Sequence, residues 1–189
     1  MKDLKGYLKP EEVEKLLKAC NSLTSYIILR LLWRTGMRVS ELLSLRVEDI
    51  IWDERVLVVK TLKRRGERKR RIPIDEKTLE YLRKYLEEKK IKKGKIFPYT
   101  RQWVFNLVRK IGKKAGIVKV GEKKIHPHHL RHSFAIFCVK KGMDLRKLQM
   151  ILGHASISTT AHYLQFAPSE LREEYDEIWN GVKDEWERK

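Results

Sequence analysis

The stretch from His126 to Tyr163, HPHHLRHSFAIFCVKKGMDLRKLQMILGHASISTTAHY, concentrates the side chains able to do polar chemistry. All six histidines of the chain fall inside it, together with Arg131 and Tyr163. Two phrases stand out, His128-His129-Leu130-Arg131-His132 and Leu152-Gly153-His154, and Tyr163 follows nine residues after the second. Imidazoles exchange protons near neutral pH, a guanidinium binds two phosphate oxygens at once, and a phenol attacks once a neighbour takes its proton. That combination points to a phosphate-handling site. His128 and His132, one helical turn apart, could instead ligate zinc, but no carboxylate or cysteine is spaced to complete a centre, so no metal is expected.

Moving a DNA phosphodiester onto a protein side chain makes three demands. A nucleophile must attack phosphorus, the equatorial charge of the transition state must be neutralised, and the departing 5′ oxygen needs a proton. Arginines suit the second demand because they stay charged and bind in a fork. A tyrosine, with a pKa near ~10, needs help to become a nucleophile.

Composition agrees with a polyanionic partner. The formal net charge is +18 over 189 residues. From Ser169 to Lys189 eight acidic residues face four basic ones, which leaves the body before it near +22. Such a field favours nucleic acid. Abundant Glu and Lys with few Asn and Gln also suits a solvated surface from a hot environment. The hydrophobic fraction of 42% fits a globular protein. No apolar run is long enough for a membrane span and the N-terminus lacks a signal-peptide core, so a cytoplasmic protein without membrane contact is expected. Cys20 and Cys138 lie far apart in apolar patterns and are expected to be buried thiols without a disulfide.

The elements that must position these groups are mostly helical. PEEVEKLLKAC at 10–20 has proline and glutamates at its start and an apolar stripe. SYIILRLLWRTG, capped by Ser22 or Thr24 and closed by Gly36, is apolar on nearly all sides and so predicts a core helix. A short helix through Ser40–Leu45 follows. From Ile50 to Ile74 alternating β-branched residues predict a small antiparallel sheet with a basic turn around Gly66. Lys60–Arg71 holds eight basic residues and one acid, which would repel one another unless they faced water or phosphate. Helices are predicted again over 75–89, Arg101–Ala115, up to Gly142, Asp144–Ile151 and after Ser156. Leu171, Tyr175, Ile178, Val182 and Trp186 share one face of a final helix. The fold class is therefore mostly α with a small three-stranded antiparallel β-sheet. Trp33, Trp52 and Trp103 are expected to pack at the core or its edge.

Arg38 in TGMRVSELLSLRVEDI, the HHLRH phrase, LGH and Tyr163, in this order and spacing, resemble the tyrosine recombinase (lambda-integrase-like) family, most closely its Xer-type members from bacteria and archaea. The resemblance runs from about Leu8 through Tyr163 and implies a catalytic domain over 1–168, its β-hairpin region at about 50–74. It implies that Tyr163 is the nucleophile forming a 3′-phosphotyrosyl bond and that Arg38 and Arg131 clamp the non-bridging oxygens. His128 would assist removal of the Tyr163 proton or bind the phosphate, and His154 would donate to it. The hairpin lysine that protonates the leaving oxygen matches Lys63, with Lys60 and Lys69 as alternatives. Glu41 matches an acidic position that orients the site, and His132 would support it from behind. His126, His129 and His162 have no assigned part. Lys60, Arg64, Arg65, Arg68, Lys69 and Arg70 of the hairpin are expected to contact DNA.

No metal, nucleotide or other cofactor is implied, since bond energy stays in the covalent intermediate. The expected partner is double-stranded DNA. Residues 169–189 are expected to be an acidic amphipathic helix docking on a neighbouring protomer in a synaptic tetramer, although it could fold back on its own domain. With Met1 so close to the catalytic part, the helical DNA-clamping domain common in the family is expected to be absent, with weaker and less selective DNA binding. Two other functions use the same fold: type IB topoisomerase-like relaxation of DNA, and a non-catalytic DNA-binding or regulatory module.

Overall fold

The computed structural model describes residues 6–63 and 66–166, without the side chains of 62–68 and 166. Eight helices and five short strands are assigned among these residues. Helix α1 (Pro10–Lys18) starts as its sequence predicts, with Pro10 in the first turn and Glu12 accepting a hydrogen bond from the Lys9 N–H. It ends two residues earlier than expected, and Cys20, beyond its end, is only half-buried; Cys138 is buried, and both thiols are free.

Helix α2 (Leu23–Thr35) is the core helix. Ser22 caps it, and Ile27, Ile28, Leu29, Leu31 and Leu32 are fully buried, so apolar residues on every side meet protein. It packs against helices α4 (Glu76–Glu88) and α6 (Pro127–Lys140). Gly36 ends it in the left-handed conformation, φ 61°. A Cβ there would lie 2.4 Å from Phe134 Cδ1, so both the turn and the close approach of α6 require glycine.

Helix α3 (Val39–Ser44) follows immediately, then strands β1 (Ile50–Ile51), β2 (Val56–Lys63) and β3 (Gly66–Pro73) form an antiparallel sheet in the order β1-β2-β3. Its register runs from Val56 opposite Pro73 to Lys63 opposite Gly66. Leu57, Val59, Ile72 and Ile74 turn into the core.

After α4, helix α5 (Arg101–Lys114) is capped by Thr100. A two-stranded hairpin, β4 (Lys119–Val120) and β5 (Lys123–Lys124), then turns through Gly121, an element too short for alternation to announce. Helix α6 opens on Pro127. Asp144 caps α7 (Leu145–Leu152) through the Arg146 and Lys147 amides, and Gly153 closes it at φ 67°. The last described elements are α8 (Ser158–Ala161) and a 3₁₀ turn over His162–Phe166. One continuous core joins them all, from Leu8 to Tyr163. Trp33 is buried in it and Trp52 half-buried beneath Arg83, while Trp103 stays exposed, stacked on Tyr99 at 4.0 Å. The acidic segment at 169–189 lies outside the described residues.

Candidate active site

Five loci converge: the start of α3, the β2–β3 hairpin, one face of α6, the end of α7 and the turn after α8. Arg38 sits just before α3, where Glu41 reaches back to accept its N–H at 2.7 Å. The same carboxylate takes Arg38 Nη1 at 3.2 Å, leaving Arg38 about one-third exposed (34%) and Glu41 almost wholly covered (3%). The pair is therefore not an ordinary surface i,i+3 contact. Burial alone would raise the Glu41 carboxyl. The hydrogen bonds and charge of Arg70, the Thr61 hydroxyl and the Arg38 amide outweigh it, and the pKa falls to about 2.

Arg131 projects from α6 into the interior. Nη1 donates to Gly36 O at 2.6 Å and Nη2 to Leu152 O at 2.8 Å. Burial first, then the charge of Arg38, lower its pKa to about 10, with Glu41 and Tyr163 acting the other way. It stays a cation at neutral pH. His154 follows the left-handed Gly153, and its Nδ1 lies 2.9 Å from the buried Thr160 hydroxyl. Burial and the charges of Arg131 and Arg38 bring it down to about 4, so the ring is neutral. His128 is exposed, one turn before Arg131 and His132 on α6, and is held below its ordinary value by desolvation, then by Arg131 and Arg38.

Tyr163 is buried, 5% exposed, and its hydroxyl lies 3.0 Å from His132 Nδ1. For His128 two parts were expected, helping remove the phenolic proton or binding the phosphate; the imidazole beside the phenol is that of His132, one turn later on α6. Burial raises the Tyr163 pKa, against the pull of Arg131 and Arg38. Desolvation, then the charges of His128 and Arg131, lower that of His132, which favours the neutral ring near pH 7. Arg131 is seated on carbonyls two residues from Arg38 and two from His154, and Tyr163 meets the residue that follows Arg131, so these side chains border one region.

The basic hairpin divides. Arg70, expected to face DNA, is turned inward: only 12% of its side chain is exposed and both terminal nitrogens bind Glu41. A buried carboxylate supplies a better partner than solvent there, so this placement corrects the expectation. Lys60 is held by Asp49 at 3.2 Å. Lys69 is exposed and lines, with Thr61, Arg70, Gly153 and His154, a cleft of about 260 Å³. The side chains of Lys63, Arg64, Arg65 and Arg68 lie outside the described residues. Of the histidines without an assigned part, buried His129 accepts the His126 N–H at 3.1 Å and so closes the start of α6, while His162 is exposed. Among the described residues no cluster of three or more His, Cys, Asp or Glu is placed to hold a metal ion, and no helix is long and apolar enough to cross a membrane.

The mostly helical domain with its three-stranded antiparallel sheet is that of a known family. The chain belongs to the phage integrase family, matching it over residues 6–170. It is 36% identical over 184 residues to the tyrosine recombinase XerA of Pyrococcus horikoshii, an alignment covering 91% of this chain and 61% of that protein. The crystal structure of XerA recombinase superposes with a TM-score of 0.77 at 33% identity, covering 91% of this chain and 64% of that one. XerH site-specific recombinase, bound to palindromic difH substrate in a post-cleavage complex, gives 0.77 at 27% identity, covering 94% and 54%. The chain thus spans less than two-thirds of the length of these relatives.

Proposed function

We propose that this chain is the catalytic part of a site-specific DNA recombinase of the Xer type, cutting and rejoining double-stranded DNA through a 3′-phosphotyrosyl intermediate. The observation that carries this reading is the seat of Arg131, bonded to Gly36 O and Leu152 O beside Arg38 and His154, with Tyr163 Oη 3.0 Å from Nδ1 of the adjoining His132. In the cleavage step the Tyr163 oxygen attacks phosphorus and a Tyr–O–P bond forms while the bond from phosphorus to the 5′ oxygen breaks. The phenolic proton passes to His132 Nδ1, already 3.0 Å away. Arg38 and Arg131 hold the non-bridging oxygens, and His154 and His128 donate to the same phosphate. The leaving 5′ oxygen takes a proton from the hairpin lysine. Lys60 is held by Asp49, and the resemblance matches this role to Lys63. That favours Lys63, with Lys69, beside the His154 cleft, as the alternative. Religation reverses these steps with a new 5′ hydroxyl, so no nucleotide or other cofactor enters the balance.

Double-stranded DNA is the substrate, met by the hairpin cations Arg64, Arg65, Arg68 and Lys69, in a cytoplasmic setting. Residues 169–189 link protomers into a synaptic tetramer. The test is a nicked suicide duplex that releases its cleaved fragment. Wild type forms a covalent adduct and Tyr163→Phe forms none while still retaining DNA. No adduct from wild type at any temperature, alone or joined to a DNA-clamping domain, removes the enzymatic reading. Exchange between two target sites, as opposed to supercoil relaxation alone, separates recombinase from topoisomerase.

A further inference from the structure

Arg70 is the point at which three separate parts of the site are tied together. Its Nη1 donates to Glu41 Oε1 at 2.9 Å and Thr61 Oγ1 at 2.8 Å, and its Nη2 to Glu41 Oε2 at 2.8 Å. Its Nε donates to Ile151 O at 2.7 Å. Thr61 adds a bond of its own to Glu41 at 2.6 Å. Glu41 in turn carries Arg38, so one guanidinium spans the base of the hairpin, the foot of the α3 clamp and the last turn of α7.

The last of these connections bears directly on His154. Arg70 takes the carbonyl of Ile151, and Arg131 takes the next one, Leu152 O. The following residue, Gly153, lies so close that a Cβ on it would stand 3.1 Å from Arg70 Cζ. His154 comes next, its own N–H bonded back to Gln149 O at 3.3 Å. The α7 turn is thus pinned through successive carbonyls by two guanidiniums, only one of which faces the candidate phosphate locus.

We propose that Arg70 is a positioning residue: it fixes the turn bearing His154 and, through Glu41, the Arg38 guanidinium, and does not bind DNA. This rests on the proposed strand-transfer reading for its catalytic consequence, but its structural consequence does not. The planar fork matters, because four bonds to three partners in fixed directions exceed what an ammonium can supply. The role differs from that of the hairpin lysine. Losing a proton donor to the leaving oxygen is repaired by a 5′-thiolate leaving group, whereas losing the geometry of Arg38 and His154 is not.

The experiment uses the full chain with Arg70→Gln, Arg70→Lys and the milder Thr61→Val, each checked for cooperative unfolding. Without DNA, amide hydrogen exchange is followed at Gly153 and His154 and at Leu29–Leu32 of α2. Exchange at the α7 turn is expected to quicken by about 10-fold or more in both Arg70 variants, and less in Thr61→Val, with α2 unchanged. With a saturating nicked duplex, Arg70→Gln is expected to cleave about 10²-fold more slowly on oxygen and 5′-thiolate substrates alike, while Lys63→Ala recovers on the thiolate. Arg70→Lys recovers neither the turn nor the rate. The role is overturned if turn exchange is unchanged in all three variants. It is equally overturned if Arg70→Gln weakens DNA retention and its salt dependence while the rate at saturation holds, or if Arg70→Lys restores everything, since a charge alone would then suffice. Should wild type form no adduct, the strand-transfer reading fails, and the exchange result still decides Arg70.

Discussion

Replacing Glu41 with glutamine tests the electrostatic centre of the site without any DNA. A folded pKa of about 2 against an ordinary 4.5 is worth about 3 kcal/mol of stability at neutral pH. The carboxylate is almost wholly covered, so solvent screening takes little from that figure. Glutamine keeps one acceptor but presents an N–H₂ toward donors and leaves the Arg70 cation without its counter-charge, a loss of the kind that costs about 3–5 kcal/mol when a buried pair is broken. The expected deficit of Glu41→Gln is therefore about 3 kcal/mol at pH 7, measured by urea unfolding. The sign of its pH dependence follows from the lowered pKa. The contribution is complete above the unfolded value of 4.5 and is lost as pH falls toward about 2. Of the difference between the two proteins, about 1.5 kcal/mol should have gone by pH 3.5. The other carboxylates titrate in both and cancel. A deficit below about 1 kcal/mol, or one that stays constant from pH 6 to pH 3.5, would refute the reasoning.

Three further outcomes are expected. Gly36→Ala combines a left-handed backbone with a Cβ 2.4 Å from Phe134 Cδ1, and should lower unfolding stability by about 2–4 kcal/mol; wild-type stability would mean α6 can retreat. Cleavage should slow on the acid side as His132 gains a proton, with a midpoint below 6.5, because only the neutral ring accepts from Tyr163. His132→Ala should slow cleavage about 10²-fold and erase that limb in a rate–pH profile; a persisting limb would transfer the task to His128. Replacing both Arg64 and Arg65 with alanine should reduce the slope of log affinity against log salt by about 1.8 in a DNA-binding titration, and an unchanged slope would take the hairpin tip off the DNA.

The sequence was readable where local rules act and opaque where distant groups meet. Arg38 and Glu41 are three apart at a helix start, the spacing at which a carboxylate reaches back to an amide, and the structure uses that bond. The helical spacing of His128, Arg131 and His132 puts all three on one face, so their approach to one locus could be foreseen. Which imidazole meets Tyr163 could not be, since the partners are 31 residues apart and His128 and His132 share one helical face. Arg70 was harder still. Strand alternation from buried Ile72 puts position 70 on the core face, but nothing in RKRR announces the acid that receives it, and that partner, Glu41, lies 29 residues back.

The seat of Arg131 has a consequence for how such a site can change over time. Its two acceptors are main-chain oxygens, Gly36 O at the end of α2 and Leu152 O at the end of α7, each beside a left-handed glycine. Helix C-termini carry partial negative charge, so the cation is balanced by peptide groups that every residue possesses. Drift in the neighbouring side chains leaves that balance intact, and no carboxylate need be displaced from these two bonds when an anion arrives. What selection must preserve around Arg131 is thus the path of the backbone: two glycines, and the helix ends they terminate.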